Sequence, residues 1–450
     1  MAATSTIQKF LPVPSVQELA RQRLGEVPSR YIRDGVDDPA RNPSDPTLQI
    51  PVLDMAQLLD PDSHEKELLK LTAICRDWGA FQVVNHGIGS ELVQSMRDKC
   101  QGFFNLQLEE RKQYAQKEGS VEGYGQTFVT SEEQRLEWSD MLFIHALPLK
   151  DRNYSFWPQE PQGFRETLDC YSGEIKRLAL SLLGFMAKGL GLESHEFSAD
   201  FEDGLYHVRL NYYPHCCRPQ HVIGMEAHRD ITGITLLLES DGTQGLQIRK
   251  DGCWVPVKMV SGALLVFIGN IGEIMSNGIY KSPEHRVVVN SLKERQTIVT
   301  FCYPNENATI MPAPHLVNPQ NPLLYKTLSH ADYFKQFFRQ RNYYDSFIDT
   351  LKTDASSVPI LSDRPLIGLY MTAVCEPLDR AGLCVAVGST VACTWAFYIC
   401  RPSLAAPVRW LYMEFFRHNP PDIARNKRTT LSGESGDYAG KNFAEQEMEI

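Results

Sequence analysis

The chain has 450 residues, enough for two or three domains and a large core, and it is 43% hydrophobic and 22% charged, the balance of an ordinary soluble globular protein. A formal net charge of −10 argues against nucleic acid or an anionic membrane as partner, because both require basic patches. Eleven cysteines without a CxxC pair, and an N-terminus without an apolar h-region, favour reduced thiols over a secreted disulfide scaffold, so a cytoplasmic location is expected, with the nucleus as a second one.

Residues 1–49 form a Pro-rich, weakly patterned arm with one short helix near Val16–Arg23, for which Ser15 and Glu18 make a capping box. "IPVLDMAQLL" opens on a short strand, Ile50 to Leu53. "SHEKELLKLTAICRDWG" reads as a helix started by Ser63 and ended by Gly79, with Leu68, Leu71 and Cys75 on one face. "AFQVVNHG" is strand-like and stops at Asn85-His86-Gly87. A second helix begins near Ser90, with Leu92, Met96, Phe103 and Leu106 in phase. A long helix from about Arg165 to Gly189 carries Leu168, Tyr171, Ile175, Leu178, Leu182 and Phe185 at three- and four-residue steps.

From His207 the character changes. "HVRLNYY", "TLLLE", "GLQIRKDGCWVPV", "ALLVFIG", "HRVVVN" and "RQTIVTFCY" are short strand-like runs punctuated by turn signals, the pattern of a barrel or jelly roll. Beyond about Asp354 the pattern breaks again. Residues 381–400 are uncharged and flanked by Arg380 and Arg401, but Gly382, Gly388, Ser389, Thr390 and Thr394 make them only moderately apolar, so no membrane span is expected. Residues 426–450 are polar and expected to be disordered.

His228 and Asp230 stand two apart ahead of the apolar run Ile234–Leu238, so an extended backbone puts both on one side. His285, heading "HRVVVN" with fifty-four residues between it and Asp230, is the best third ligand. Two imidazoles and one carboxylate on one face of a metal leave positions open, the arrangement of non-haem Fe(II) oxygenases. H-x-D alone is a weak signal, equally a turn aspartate beside a surface histidine. Ten residues past His285, Arg295, Thr297, Val299, Phe301 and Tyr303 share one face of a strand. Arg295 can hold a carboxylate with two parallel hydrogen bonds, Thr297 adds a hydroxyl, and Phe301 offers an apolar wall. Upstream, Arg209, Asn211 and Tyr213 share a face and bring a phenol toward the same place, although Tyr213 reads equally as a core tyrosine.

The order "NYY…HRD…EHR…RQT", with "IPVLDM", "WGAFQVVNHGI" and "GNIGEIMSNGIYKSPEHRVVVN", resembles the plant 2-oxoglutarate- and Fe(II)-dependent dioxygenases that act on flavonoids, alkaloids and hormones, over roughly residues 10 to 352. The resemblance implies an α+β fold, a distorted double-stranded β-helix (jelly roll) with a helical N-terminal region. It implies Fe(II) on His228, Asp230 and His285, with 2-oxoglutarate and O2 as co-substrates and ascorbate as reductant. The distal carboxylate of 2-oxoglutarate would meet Arg295 and Thr297, with Tyr213 and Asn211 nearby, and Phe301 would face the substrate. His86, in the "NHG" stretch, is structural in that family and is not counted as a ligand. The implied division is an arm (1–49), an N-terminal dioxygenase region (50–160), a long helix and connector (161–204), the β-helix core (205–305), a C-terminal helical segment (306–352) and an atypical tail (353–450), foreign to the catalytic unit and expected to be disordered.

Some residues depart from the family pattern. Arg229 replaces a small or hydroxylated residue between His and Asp, Arg-Gln-Thr replaces Arg-x-Ser, "YPHCC" replaces Tyr-Pro-Pro-Cys, and Glu273 replaces a frequent aspartate. None removes a ligand, and strand alternation is expected to turn Arg229 away from the metal. Met141, where flavonoid-oxidising relatives often carry an aromatic, counts mildly against a flavonoid. The expected activity is oxidation (hydroxylation, desaturation or O-demethylation) of a small specialised metabolite or hormone by a monomer, with release of succinate and CO2. The competing readings are a same-fold oxidase that uses no 2-oxoglutarate and an inactive binding or regulatory homologue.

Overall fold

The computed structural model describes residues 11–22, 26–36, 45, 48–118, 120–126, 129–240, 242–339 and 346–353, and the backbone of Cys384–Gly388 and Ala396–Cys400. In chain order the first part holds α1 (Val16–Arg21), β1 (Val52–Asp54), α2 (Met55–Leu59), α3 (His64–Asp77), β2 (Ala80–Val84), α4 (Ser90–Asn105), α5 (Leu108–Lys112), β3 (Gly123–Gly125), β4 (Asp140–Leu147), α6 (Phe164–Lys188) and α7 (His195–Glu202). The strand-rich part follows with β5 (Leu205–Tyr213), β6 (Ile223–His228), β7 (Ile234–Glu239), β8 (Leu246–Lys250), β9 (Cys253–Pro256), β10 (Leu264–Ile268), α8 (Asn270–Met275), β11 (His285–Val288) and β12 (Arg295–Tyr303). The short strands β13 (Thr309–Ile310) and β14 (Leu328–Ser329) and the helices α9 (His330–Arg339) and α10 (Phe347–Thr350) complete this unit.

Two sheets build the core: an eight-stranded one in the order β1-β2-β10-β7-β12-β5-β4-β3 and a four-stranded one in the order β6-β11-β8-β9. Period-two alternation gives the large sheet two unlike faces. On one face Ile234, Leu236, Leu238, Ile298 and Cys302 enter the main core with Leu168, Ile175, Leu178 and Leu182 of α6. On the other, Leu237, Val299 and Tyr213 meet Leu246, Ile248 and Val287 of the small sheet. The expected jelly roll and helical N-terminal region are both present, and that region also contributes strands to the large sheet. Four of the large sheet's eight strands, β1 to β4, come from the N-terminal region. The reason lies in "DMLFIHAL", a largely apolar run that pairs with β5 over the full length of β4.

Local signals place several elements as expected. Ser15 Oγ accepts from Glu18 N at the head of α1, and its own hydroxyl donates to Asp140 of β4 (2.6 Å), as do the backbone N–H groups of Val16 and Gln17. This ties the arm to the sheet. After α3 the chain turns at Gly79 with φ +66°, and a Cβ there would lie 2.0 Å from Lys281 O, so only glycine fits.

Residues 360–450 form a second unit. Its described part is one antiparallel pair, Cys384–Gly388 with Ala396–Cys400. These strands fall within the uncharged stretch 381–400, and the rest of the tail expected to be disordered lies outside the described residues. Among the described residues no helix is long and apolar enough to cross a membrane.

Candidate metal and co-substrate site

His228 is the last residue of β6 and His285 the first of β11, and the two are direct partners across this antiparallel pair, their rings 4.3 Å apart. The expectation that strand alternation aligns His228 with Asp230 needs correction, because β6 stops at His228. Asp230 lies in the turn that follows, where its carbonyl accepts from Asn270 N (2.7 Å). The turn still delivers its carboxylate: Oδ1 is 3.6 Å from His228 Nε2 and 3.8 Å from His285 Nε2. One ligand atom from each residue lies within 4.8 Å of the others, so the three donors converge on one site. Arg229 does not line this cavity, as expected, but position in a turn rather than strand alternation keeps it out.

The imidazoles are held in the ligand form. His228 Nδ1 donates to Glu226 O (2.7 Å) and His285 Nδ1 to Pro283 O (3.2 Å), so each Nε2 presents its lone pair to the site. Phe267 stacks on the His285 ring at 4.3 Å. Burial pushes the Asp230 carboxyl upward, but the two histidines outweigh it and hold the group at about 2. Burial and the neighbouring His228 bring His285 down to about 4. The donor set is therefore one fixed carboxylate and two oriented imidazoles, which fits Fe(II).

The cavity around the triad has about 430 Å³ of empty space, part of it open to solvent. Arg209, Asn211, Tyr213, Arg295, Thr297 and Phe301, all from β5 and β12, form its other wall. Arg295 is 3% exposed; its Nε donates to Thr243 O (3.1 Å), and its Nη1 has no partner among the described residues. Its guanidinium lies over the Tyr213 ring at 5.6 Å. Asn211 Nδ2 donates to Thr297 Oγ1 (3.1 Å), which leaves Asn211 Oδ1 without a partner among the described residues. An unsatisfied guanidinium N–H deep in a cavity fits the far carboxylate of a dicarboxylic acid. His86 stands outside the site: Nε2 lies 3.0 Å from Gly262 O and Nδ1 takes the Ile88 N–H.

The register across the large sheet organises the wall into rows, because residues directly opposite share a face. Arg295 pairs with Tyr213, then Thr297 with Asn211 and Met141, then Val299 with Arg209 and Phe143, then Phe301 with His207 and His145. Arg209, Phe143, His145 and His207 were not singled out as site residues from the sequence. Two of them belong to β4, whose apolar run was the available signal.

An Fe(II)-ready His-Asp-His triad at the mouth of a double-stranded β-helix defines a non-haem iron oxygenase. Family models agree with this: residues 50–160 match the N-terminal region described as "non-haem dioxygenase in morphine synthesis", and residues 205–304 match the 2OG-Fe(II) oxygenase superfamily. The chain is 41% identical to an oxoglutarate-dependent flavonoid 7-O-demethylase from Ocimum basilicum over 352 residues, 78% of this chain and 94% of the relative. It is likewise 41% identical to codeine O-demethylase from Papaver somniferum, covering 76% of this chain and 96% of that one. Among solved structures, JOX2 in complex with 2OG, Fe and JA superposes with a TM-score of 0.70 at 34% identity, over 76% of this chain and 99% of that one. The chain belongs to the 2-oxoglutarate- and Fe(II)-dependent oxygenases, and it is an oxidoreductase that uses both.

Proposed function

We propose that this chain oxidises a small plant specialised metabolite or hormone, with His228, Asp230 and His285 holding Fe(II) and Arg295 and Thr297 anchoring the far carboxylate of 2-oxoglutarate. Tyr213 and Asn211 complete the anchor, and Phe301 faces the substrate. The observation that carries the reading is the coexistence of the triad with the unpaired Arg295 Nη1 in one cavity. The relatives named as demethylases and the solved neighbour in complex with JA support the substrate class. The same arginine disfavours an oxidase that dispenses with 2-oxoglutarate. Seven described cysteines, all free, support a reducing cytoplasmic or nuclear setting, and the cavity is complete within one chain, which supports a monomer.

Iron and 2-oxoglutarate together supply O2 activation coupled to oxidative decarboxylation, with release of succinate and CO2. The protein's own part is geometry and seclusion. Asp230 contributes a permanent negative charge and the two Nδ1–carbonyl bonds fix the imidazole planes. Arg295 sets the direction in which the dicarboxylate enters. Leu237, Leu246, Val287 and Val299 line the cavity and exclude water. Asp230→Ala is expected to abolish Fe(II) binding and succinate release together. Near-normal succinate release by that variant, with ordinary folding, would overturn the assignment.

A further inference from the structure

The metal and co-substrate sites leave the "YPHCC" departure unused, and it sets two thiols side by side. Cys216 is 2% exposed and packs with Trp138, Val222 and Val289, whereas Cys217 is exposed. The two thiols are in hydrogen-bond contact, and the Cys216 sulfur also takes the Arg218 N–H (3.5 Å). Burial pushes the Cys216 thiol up to about 11, so the accessible neighbour is the one that meets a reagent first. Its surroundings in the chain are basic: His215, Arg218 and His221 lie in the stretch 214–222, which holds no acidic residue.

The pair sits on the loop between β5 and β6, and that loop holds the approach to Arg295. Tyr213, the last residue of β5, lies under the Arg295 guanidinium. Cys216 N donates to Asn290 O (3.0 Å), and Asn290 Oδ1 accepts from Leu292 N (2.8 Å) and Lys293 N (3.0 Å), which shapes the turn that leads into Arg295. The Cys216–Cys217 peptide is not among the cis bonds of the described chain. Adjacent Cα atoms lie about 3.8 Å apart across a trans peptide, whereas disulfides ordinarily span about 4.4–6.8 Å. Joining these two sulfurs therefore twists the backbone at both residues, and the strained bond is readily reduced again. The Cys216 N–H moves with that twist, and it is the tie to Asn290.

We propose that Cys216 and Cys217 are a reversible redox site: glutathione disulfide converts them to a vicinal disulfide, and closure releases the Asn290 tie and weakens the hold of Arg295 on 2-oxoglutarate. The second half rests on the assignment of Arg295 as the 2-oxoglutarate anchor. The Cys217 thiolate attacks one sulfur of glutathione disulfide, forms a mixed disulfide and expels one glutathione thiolate. The Cys216 sulfur, giving up its proton to solvent, then attacks Cys217 Sγ and expels the second. Two protein thiols lose two electrons, and one glutathione disulfide gains them and takes up the two protons as two glutathiones. In a reducing setting the pair stays open, and it closes as the glutathione pool becomes oxidised.

The test equilibrates the full chain, loaded with Fe(II) and kept anaerobic, in glutathione redox mixtures. Mass spectrometry then maps its cysteine peptides, and equilibrium dialysis measures 2-oxoglutarate binding. The peptide holding Cys216 and Cys217 is expected to lose two hydrogens, 2-oxoglutarate to bind about fivefold or more weaker, and dithiothreitol to reverse both. Linkage adds a readout that general damage would not give: saturating 2-oxoglutarate should raise the ratio of glutathione disulfide to squared glutathione needed for half-closure by the same factor. Cys217→Ser should bind 2-oxoglutarate like reduced wild type and keep that affinity in oxidising mixtures, which separates this pair from the chain's other cysteines. Thermal melting shows whether Cys217→Ser has folded, and Cys217→Ala carries the test if it has not. A glutathione adduct that persists on Cys217, or a bond from either residue to another cysteine, overturns the proposal. So does a closed pair with unchanged 2-oxoglutarate affinity, or weakening that survives in Cys217→Ser. Arg295→Ala that binds 2-oxoglutarate as tightly as reduced wild type would instead overturn the anchor beneath it.

Discussion

At the scale of single residues the site depends on what each buried polar atom lacks. Arg295 keeps one N–H unpaired against the cavity, so Arg295→Ala should weaken 2-oxoglutarate binding by about 2–5 kcal/mol, and Arg295→Lys should recover only part of it. Titration of 2-oxoglutarate against succinate release checks this, and an unchanged requirement in both variants would favour the oxidase alternative. Glu122 makes a pH prediction. Burial pushes its carboxyl up to about 7 from an ordinary 4.5. A raised carboxyl binds more protons in the folded state, so its contribution is present below about 4.5 and is lost as pH climbs through 7. His145 beside it, pushed down to about 4 by burial, acts in the opposite sense and loses stability as pH falls from 6.5. Glu122→Gln should therefore melt higher than wild type at pH 8, by on the order of 2–3 kcal/mol, and equally at pH 4.5. A melting difference that does not change with pH would refute the assignment. The metal ligands were legible because H-x-D and "EHR" keep their spacing in the chain. Arg209 was hidden because its place in the cavity wall is set by the register across the sheet, which a single strand does not display. The departure at Glu273 is absorbed: its carboxylate accepts Tyr325 OH (2.8 Å) and Ser282 N (2.7 Å), so the longer side chain is fully used.

At the scale of elements, α6 shows how far periodicity carries. The reading Arg165–Gly189 is within a residue of the observed Phe164–Lys188 at each end, and Leu168, Tyr171, Ile175, Leu178 and Leu182 are all fully buried. They press on the outer face of the strands whose inner face carries Arg209 and Arg295. Leu182→Ala should therefore cost about 3 kcal/mol by leaving a cavity, within the roughly 2–5 expected for such a truncation, and be read as a lower denaturant midpoint with an unchanged slope. A loss below about 0.5 kcal/mol would mean that the helix face is not packed as described. β4 is the opposite case. Its even-numbered residues are buried while Phe143, His145 and Leu147 are half-buried, yet after Asp140 its apolar run is broken only by His145, and no turn signal of the usual kind precedes it. The end of β6 at His228 was also illegible, because the turn holding Asp230 is set by Asn270 of α8, forty residues further on.

At the scale of the whole molecule, the question is where the functional unit ends. The relatives' lengths are almost wholly accounted for by about 350 residues of this chain: the flavonoid demethylase match uses 352 of them and 94% of that protein. The structure adds a physical reason. Phe347, Ile348 and Leu351 are buried in the main core, Tyr325 and Lys352 pair as an isolated bridge, and Thr353 N donates to Leu324 O (2.9 Å) while its hydroxyl donates to Leu323 O (2.9 Å). The catalytic unit is therefore closed by its own chain through Thr353, one residue past the boundary read from the sequence. A protein ending at Thr353 is expected to melt within about 2 °C of the full chain and to release succinate at the same rate, since every described wall residue of the cavity precedes that point. One ending at Leu324 loses α9, α10 and the Tyr325–Glu273 contact, and should fail to accumulate as folded protein. Loss of activity in the Thr353 form with its melting point preserved would show that residues 354–450 contribute to the site.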